Sequence, residues 1–146
     1  MTQSYFLGET SQTLDKHNRV PLPVRFYADF AAGIVITRGL ERCLMAFPLE
    51  QWQTLSTRVE SLPLVNALAR EFQRLLFSGT SSFTLERNGH LPIPQPLREY
   101  AGLHHEVAIV GLGTHLEIWD LKTWQTKRGE FELQAANAEH WSSLGV

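Results

Sequence analysis

Two five-residue clusters carry the chemistry this chain can offer. Asp15, Lys16, His17, Asn18 and Arg19 set an acid, a turn-former and cationic or titratable side chains together, and Glu86, Arg87, Asn88, Gly89 and His90 do so again. Lysine and arginine at a turn offer fixed positive charge and several hydrogen-bond donors. Histidine joins them once protonated. Asn18 and Gly89 stand where a tight turn needs left-handed backbone, which glycine and asparagine adopt most readily. Taken singly, a few cations in a turn are ordinary solvated surface. Their recurrence at matching positions argues for a shared task.

The recurrence extends beyond the clusters. Leu14 to Pro23 and Leu85 to Pro94 both read apolar, acidic, basic, polar, turn-former, cationic or titratable, apolar, Pro, apolar, Pro. Leu14 falls on Leu85 at an offset of 71 residues, whereas Leu44, Phe47, Leu49 and Trp52 fall on Leu116, Trp119, Leu121 and Trp124 at 72. One inserted residue between the blocks accounts for the change. The chain is thus a duplicated unit of strand, charged turn, strand, helix, strand and strand.

The elements that must hold the turns follow from pattern. Residues 6 to 12 suit an opening edge strand. Val20 and Leu22 alternate with polar or proline positions, as in a half-buried strand, and Pro21 confines that strand to an edge. Pro23 starts a helix over 24 to 32. Gly33 to Thr37 and Cys43 to Phe47 are buried strands joined by a turn. Trp52, Leu55, Val59 and Leu62 make one face of a helix ended by Pro63, and Asn66 caps a second helix carrying Leu68, Phe72, Leu75 and Leu76. In the second unit Asn88-Gly89 signals a hairpin between Phe83–Leu85 and Leu91–Ile93. A helix over 94 to 101 ends at Gly102, strands cover 106 to 110 and 115 to 119, and a helix starts at Leu121. A loose helix over 130 to 141, with Phe131, Ala135, Ala138 and Trp141 on one side, closes the chain.

Bulk properties set limits. With 146 residues, 43% hydrophobic, 19% charged and a formal net charge of -2, the chain suits one ordinary globular core with no global basic signal. The single cysteine, Cys43, excludes a disulfide framework, reads as a small core residue and favours a cytosolic setting. The opening Met1 to Tyr5 has no basic segment leading into an apolar run, and no stretch suits a membrane span. His104, His105 and His115 lack a cysteine partner and a carboxylate constellation, so no metal or cofactor is expected. Gly111 and Gly113 read as a turn, and no serine or cysteine has a nucleophile's setting. Trp52, Trp119 and Trp124 read as core or subunit contacts. The chain is not expected to be an enzyme.

The duplicated pattern acidic-x-x-turn-cationic-apolar-x-apolar-Pro is similar to that of the MraZ family. So are Gln73-Arg74-Leu75-Leu76, Leu97-Arg98-Glu99-Tyr100-Ala101-Gly102-Leu103 and Leu116-Glu117-Ile118-Trp119-Asp120, over a match from about Phe6 to Trp124. The resemblance implies an α+β fold in which duplicated AbrB-like swapped-hairpin units form an intramolecular pseudo-dimeric β-barrel with flanking helices. The units would cover 6–53 and 81–125, with a helical connector at 54–80 and a tail at 126–146. It also implies a homo-oligomeric ring and a cytoplasmic, nucleoid-associated transcriptional regulator. Its partner would be double-stranded DNA: short direct repeats in the promoter region of the division and cell-wall gene cluster, its own promoter included.

The family's DNA-reading turn usually runs acidic-x-Lys-Gly-Arg. Carried over, it falls on Asp15, His17, Asn18 and Arg19 in the first copy, and its acidic, Gly and Arg positions fall on Glu86, Gly89 and His90 in the second. The resemblance therefore implies DNA contacts from Lys16, His17, Arg19, Arg87 and His90, with Asp15, Asn18, Glu86 and Gly89 shaping the turns. His17 replaces the lysine, Asn18 the glycine and His90 the arginine. A neutral histidine grips neither guanine nor phosphate as arginine does, so the first turn is expected to dominate. Acid, by protonating His17 and His90, should tighten binding. The alternative is an oligomeric protein-binding module of the same fold without specific DNA contact.

Overall fold

The computed structural model describes residues 5–146, so the expectation about a leader, which rests on the opening residues, lies largely outside the described residues. Ile34–Arg38 forms β3 and returns antiparallel as β4, Leu44–Pro48. Their repeat equivalents are β7, Glu106–Gly111, and β8, Leu116–Asp120. β4 and β8 pair at the middle of a six-stranded antiparallel sheet whose edges are β1, Glu9–Thr13, and β5, Ser81–Phe83; the order is β1-β7-β8-β4-β3-β5. Across the central pair Leu44 faces Ile118 and Ala46 faces Leu116, with Met45 opposite Glu117. Leu44 and Leu116 are repeat equivalents, as are Ala46 and Ile118, so a pseudo-twofold axis passes beside Met45 and Glu117.

The edges reveal the exchange between units. β1, from the first unit, lies on β7 of the second, and β5, from the second, lies on β3 of the first. The two charged stretches meet in the same way. Arg19–Pro21, β2, pairs antiparallel with His90–Pro92, β6, as an isolated two-stranded ribbon in which Val20 faces Leu91. A two-stranded ribbon consists of edges, so Pro21 and Pro92 remove no essential ladder donor. Val20, Leu22, Leu91 and Ile93 share one buried cluster with Ile34, Ile36, Leu116 and Ile118 of the large sheet. Sheet and ribbon enclose this core as the pseudo-dimeric barrel.

Three local expectations differ from the structure. Asn88-Gly89 does not join a hairpin, because β5 and β6 belong to different sheets and each pairs with a strand of the other unit. The expected helix over 24 to 32 is two 3-10 turns, Val24–Phe26 and Ala28–Phe30. That segment mixes weaker helix formers (Val24, Phe26, Tyr27, Asp29, Phe30) with strong ones (Arg25, Ala28), so propensity alone does not decide its form. Its equivalent is a true helix, α3, Gln95–Ala101, whose Gln95 side chain donates to Glu99 one turn on. Gly102 caps α3 in the left-handed conformation, φ 63°. The closing segment is not one helix over 130 to 141: α4 runs Leu121–Leu133, the chain turns at Gln134, and α5 covers Ala138–Trp141.

Helices cover much of the sheet's other face, leaving Met45 and Glu117 half-buried at its centre. α1, Leu49–Glu60, lodges Trp52 between Phe47 and Phe77, with ring centroids 5.9 and 6.0 Å apart. Asn66 caps α2, Ala67–Phe77, its side chain accepting from the N–H groups of Leu68 and Ala69 at 2.9 and 3.2 Å. The buried Thr37 hydroxyl donates to the Leu76 carbonyl at 2.7 Å, tying α2 to β3. α4 sets Trp124 against Trp119, and both Trp124 and Arg128 bond Glu9 of β1. The 53/54 boundary falls inside α1 and the 125/126 boundary inside α4. Among the described residues no helix is long and apolar enough to cross a membrane.

Candidate nucleic-acid interface

Both clusters fold as four-residue turns of one design. The N–H of Asn18 donates to the Asp15 carbonyl at 3.0 Å, and that of Gly89 to the Glu86 carbonyl at 2.9 Å. Asn18 and Gly89 have φ of 60° and 68°. Each turn is then fastened to the other copy: Leu22 N–H donates to the Gly89 carbonyl at 3.0 Å and Ile93 N–H to the Asn18 carbonyl at 3.1 Å. The ribbon therefore holds both turns at its two ends, related by the pseudo-twofold axis.

The turns are stiffened differently. Asp15 Oδ1 accepts from the N–H groups of His17 at 2.8 Å and Arg19 at 2.9 Å. The bond from the Arg19 N–H, opposed by slight desolvation and aided by His17, holds this carboxyl below its ordinary value. Glu86 makes no such bond. In the second turn Asn88 Oδ1 accepts the His90 N–H at 3.1 Å instead. Glu86 reaches across to Arg19, with Oε2 3.4 Å from Nη1.

Strand alternation orients the side chains. Val20 and Leu91 point into the core, which puts Arg19 and His90 on the ribbon's outward face. Lys16, His17 and Arg87 are exposed and form no ion pair among the described residues. The structure thus brings all five candidate contact residues to the two turns and the ribbon between them. The result is a narrow surface with cations at both ends.

One residue of this surface escaped the sequence reading. The Tyr27 hydroxyl donates to the Asn88 carbonyl at 3.2 Å, and a Cβ built on Gly89 would lie 1.9 Å from that hydroxyl oxygen. Tyr27 buttresses the second turn and demands glycine there. A signal was present in the repeat: Arg98 stands at Tyr27's equivalent position and Asn18 at Gly89's. Arg98 turns instead to the Ile93 carbonyl.

The remaining titratable groups belong to the framework. His104 and His105 are exposed just before β7, while His115 stacks on Phe47 at 4.6 Å and its burial lowers its pKa. Among the described residues no His, Cys, Asp and Glu group could hold a metal. Cys43 is buried, its thiol donating to the Leu40 carbonyl at 3.3 Å, and burial together with nearby Glu117 pushes its pKa up. Such a thiol is unreactive.

Comparison with known proteins follows the same internal repeat. The family model described as "MraZ protein, putative antitoxin-like" matches twice, over residues 5–75 and 76–141. A transcriptional regulator MraZ of Roseiflexus castenholzii is 43% identical over 131 residues, covering 90% of this chain and 92% of the relative. One from Kineococcus radiotolerans is 42% identical over 127 residues, 87% of this chain and 89% of the relative. Another, from Herpetosiphon aurantiacus, is 37% identical over 142 residues, 97% of this chain and 99% of the relative.

Proposed function

The chain belongs to the MraZ family, and we propose from that premise that it is a DNA-binding transcriptional regulator whose reading element is the β2–β6 ribbon with its two turns. The observation that carries this reading is the reciprocal fastening of the turns, Leu22 to Gly89 and Ile93 to Asn18, which presents two cationic tips from one rigid frame. A two-stranded antiparallel ribbon fits the major groove of B-form DNA. Lys16 and Arg87 at the tips take phosphates, Arg19 takes a phosphate or a guanine edge, and His17 and His90 complete the contacts. Asp15, Asn18, Glu86 and Gly89 shape and space the turns. The target is the set of short direct repeats in the promoter region of the division and cell-wall gene cluster, including the protein's own, which places the protein at the nucleoid in the cytoplasm. Catalysis has no part in this reading.

One ribbon on a chain of net charge -2 binds weakly by itself. A ring of chains facing tandem repeats gains by effective concentration. The exposed Leu64 and Val65 between α1 and α2 and Leu68 in the first turn of α2, at 71%, 91% and 73% exposure, supply an apolar surface for such assembly. Light scattering at micromolar concentration should give a multiple of the chain mass, and a monomer would contradict the ring. A gel shift with the protein's own upstream region against a shuffled competitor tests the regulator itself. Selective retardation supports it, and equal competition leaves the oligomeric protein-binding module as the better account.

A further inference from the structure

His90 holds in the second turn the place that Arg19 holds in the first, and its ring is fixed by the turn it belongs to. Nδ1 lies 2.9 Å from the Asn88 carbonyl oxygen. A carbonyl oxygen can only accept, so Nδ1 carries the hydrogen. In the neutral imidazole the other nitrogen, Nε2, is then a bare lone pair. The Asn88 carbonyl is itself held by the Tyr27 hydroxyl at 3.2 Å, and the His90 N–H is held by Asn88 Oδ1 at 3.1 Å. Among the described residues no hydrogen bond reaches Nε2, and the ring lies on the ribbon's outward face.

We propose that His90 is a specificity-determining residue, its neutral ring accepting through Nε2 a hydrogen bond from an exocyclic base amino group in the major groove. This rests on the reading of the ribbon as the DNA interface. Cytosine N4 and adenine N6 are the donors of that groove, whereas guanine shows only the acceptors N7 and O6, which repel a second lone pair. Arg19 is a donor alone. The repeat equivalents therefore present opposite polarity: Arg19 favours guanine, and His90 favours a base carrying an amino group. Arg19 lies opposite Pro92 and His90 opposite Pro21, which makes the two diagonal neighbours on the outward face. Diagonal residues sit about 7–8 Å apart, close to two base-pair rises of about 3.4 Å. The second turn therefore reads a different edge, and protonating His90 would remove that contact, so the tightening expected in acid falls to His17 alone.

The test is fluorescence anisotropy of the full chain on its own upstream repeats, each position changed in turn to the other three bases. The pH is set at about 8, where an ordinary imidazole is neutral. One position should require cytosine or adenine, with guanine or thymine weakening binding about tenfold; the four-base comparison separates the two amino donors. His90→Ala, checked for folding by circular dichroism, should flatten the preference at that position alone, and His90→Arg should move it to guanine. Nitrogen NMR of the free protein at the same pH should find the hydrogen on Nδ1. Specific binding with no position that depends on His90, or a hydrogen on Nε2, overturns this inference alone. Absence of any sequence-specific binding by the unmodified chain overturns the interface reading and this inference together.

Discussion

Arg19 of the first turn and Glu86 of the second meet across the ribbon, Nη1 to Oε2 at 3.4 Å, with side-chain exposures of 34% and 62%. The contact has no counterpart on the other side of the pseudo-twofold axis. Asp15, the equivalent of Glu86, spends Oδ1 on the N–H groups of His17 and Arg19. Its shorter side chain folds onto its own turn, whereas the longer Glu86 reaches the partner turn. The two turns share a backbone design and differ in where their acids go.

That difference predicts an effect on binding without one on folding. An exposed pair at this distance is worth about 0–1 kcal/mol, so Glu86→Gln should leave urea unfolding nearly unchanged. It should strengthen DNA binding several-fold in anisotropy at low salt, because a carboxylate that competes with phosphate for Arg19 is gone. Weaker binding by the folded variant would instead make Glu86 a support that Arg19 needs.

Gly89→Ala places a methyl group against the Tyr27 ring while keeping a backbone at φ 68° that disfavours a side chain. The expected cost is about 1–3 kcal/mol in chemical denaturation. Adding Tyr27→Ala should recover part of it by removing the clash. Ala at 89 without loss of stability would show that Tyr27 does not lock the second turn.

Asp15 gives a pH signature. Its folded pKa lies below the unfolded value of about 3.9, so its contribution to stability is complete above the unfolded value and is lost as pH falls through the folded one. Thermal melts of the parent and Asp15→Ala should differ at neutral pH and converge in strong acid. A difference that persists unchanged at low pH would assign the effect to something other than this carboxylate.

Because β1 and β5 are exchanged between units, the halves share one core and should unfold together. Leu44→Ala and Leu116→Ala, both at fully buried equivalent positions beside the axis, should each cost about 2–5 kcal/mol. Calorimetry should find one transition in the parent and in each variant. Two transitions, with each substitution moving only one, would mean the units fold separately.

Much of this architecture was legible because duplication constrains it. The repeat gave the equivalence of β4 with β8 and of the two turns, and period-two alternation gave Val20 and Leu91 as the inward residues. Partner choice was not legible from local pattern. Asn88-Gly89 reads locally as a hairpin, yet Leu91 is better buried opposite Val20 of the other unit, and no nearby residue announces that. The helix over 24 to 32 failed for a weaker reason: burying Phe26 and Phe30 requires only two short turns. Of the site, the cations stood out in the sequence. Tyr27 did not, since its role depends on a contact 61 residues away with Asn88.

If the ribbon and its turns are the DNA surface, their cations must carry the affinity. The direct measurement is the affinity of the Lys16→Ala, Arg19→Ala, Arg87→Ala triple variant for the upstream repeats across a salt series. A double variant, Arg42→Ala with Arg58→Ala, serves as the control at cations away from the turns. The triple variant, folded and of unchanged assembly size, should lose most of its affinity. Its salt dependence should flatten by about one unit of slope for each phosphate contact removed, while the control binds as the parent does. Equal affinity for the triple variant and the parent, or loss confined to the control, would contradict this assignment of the DNA surface.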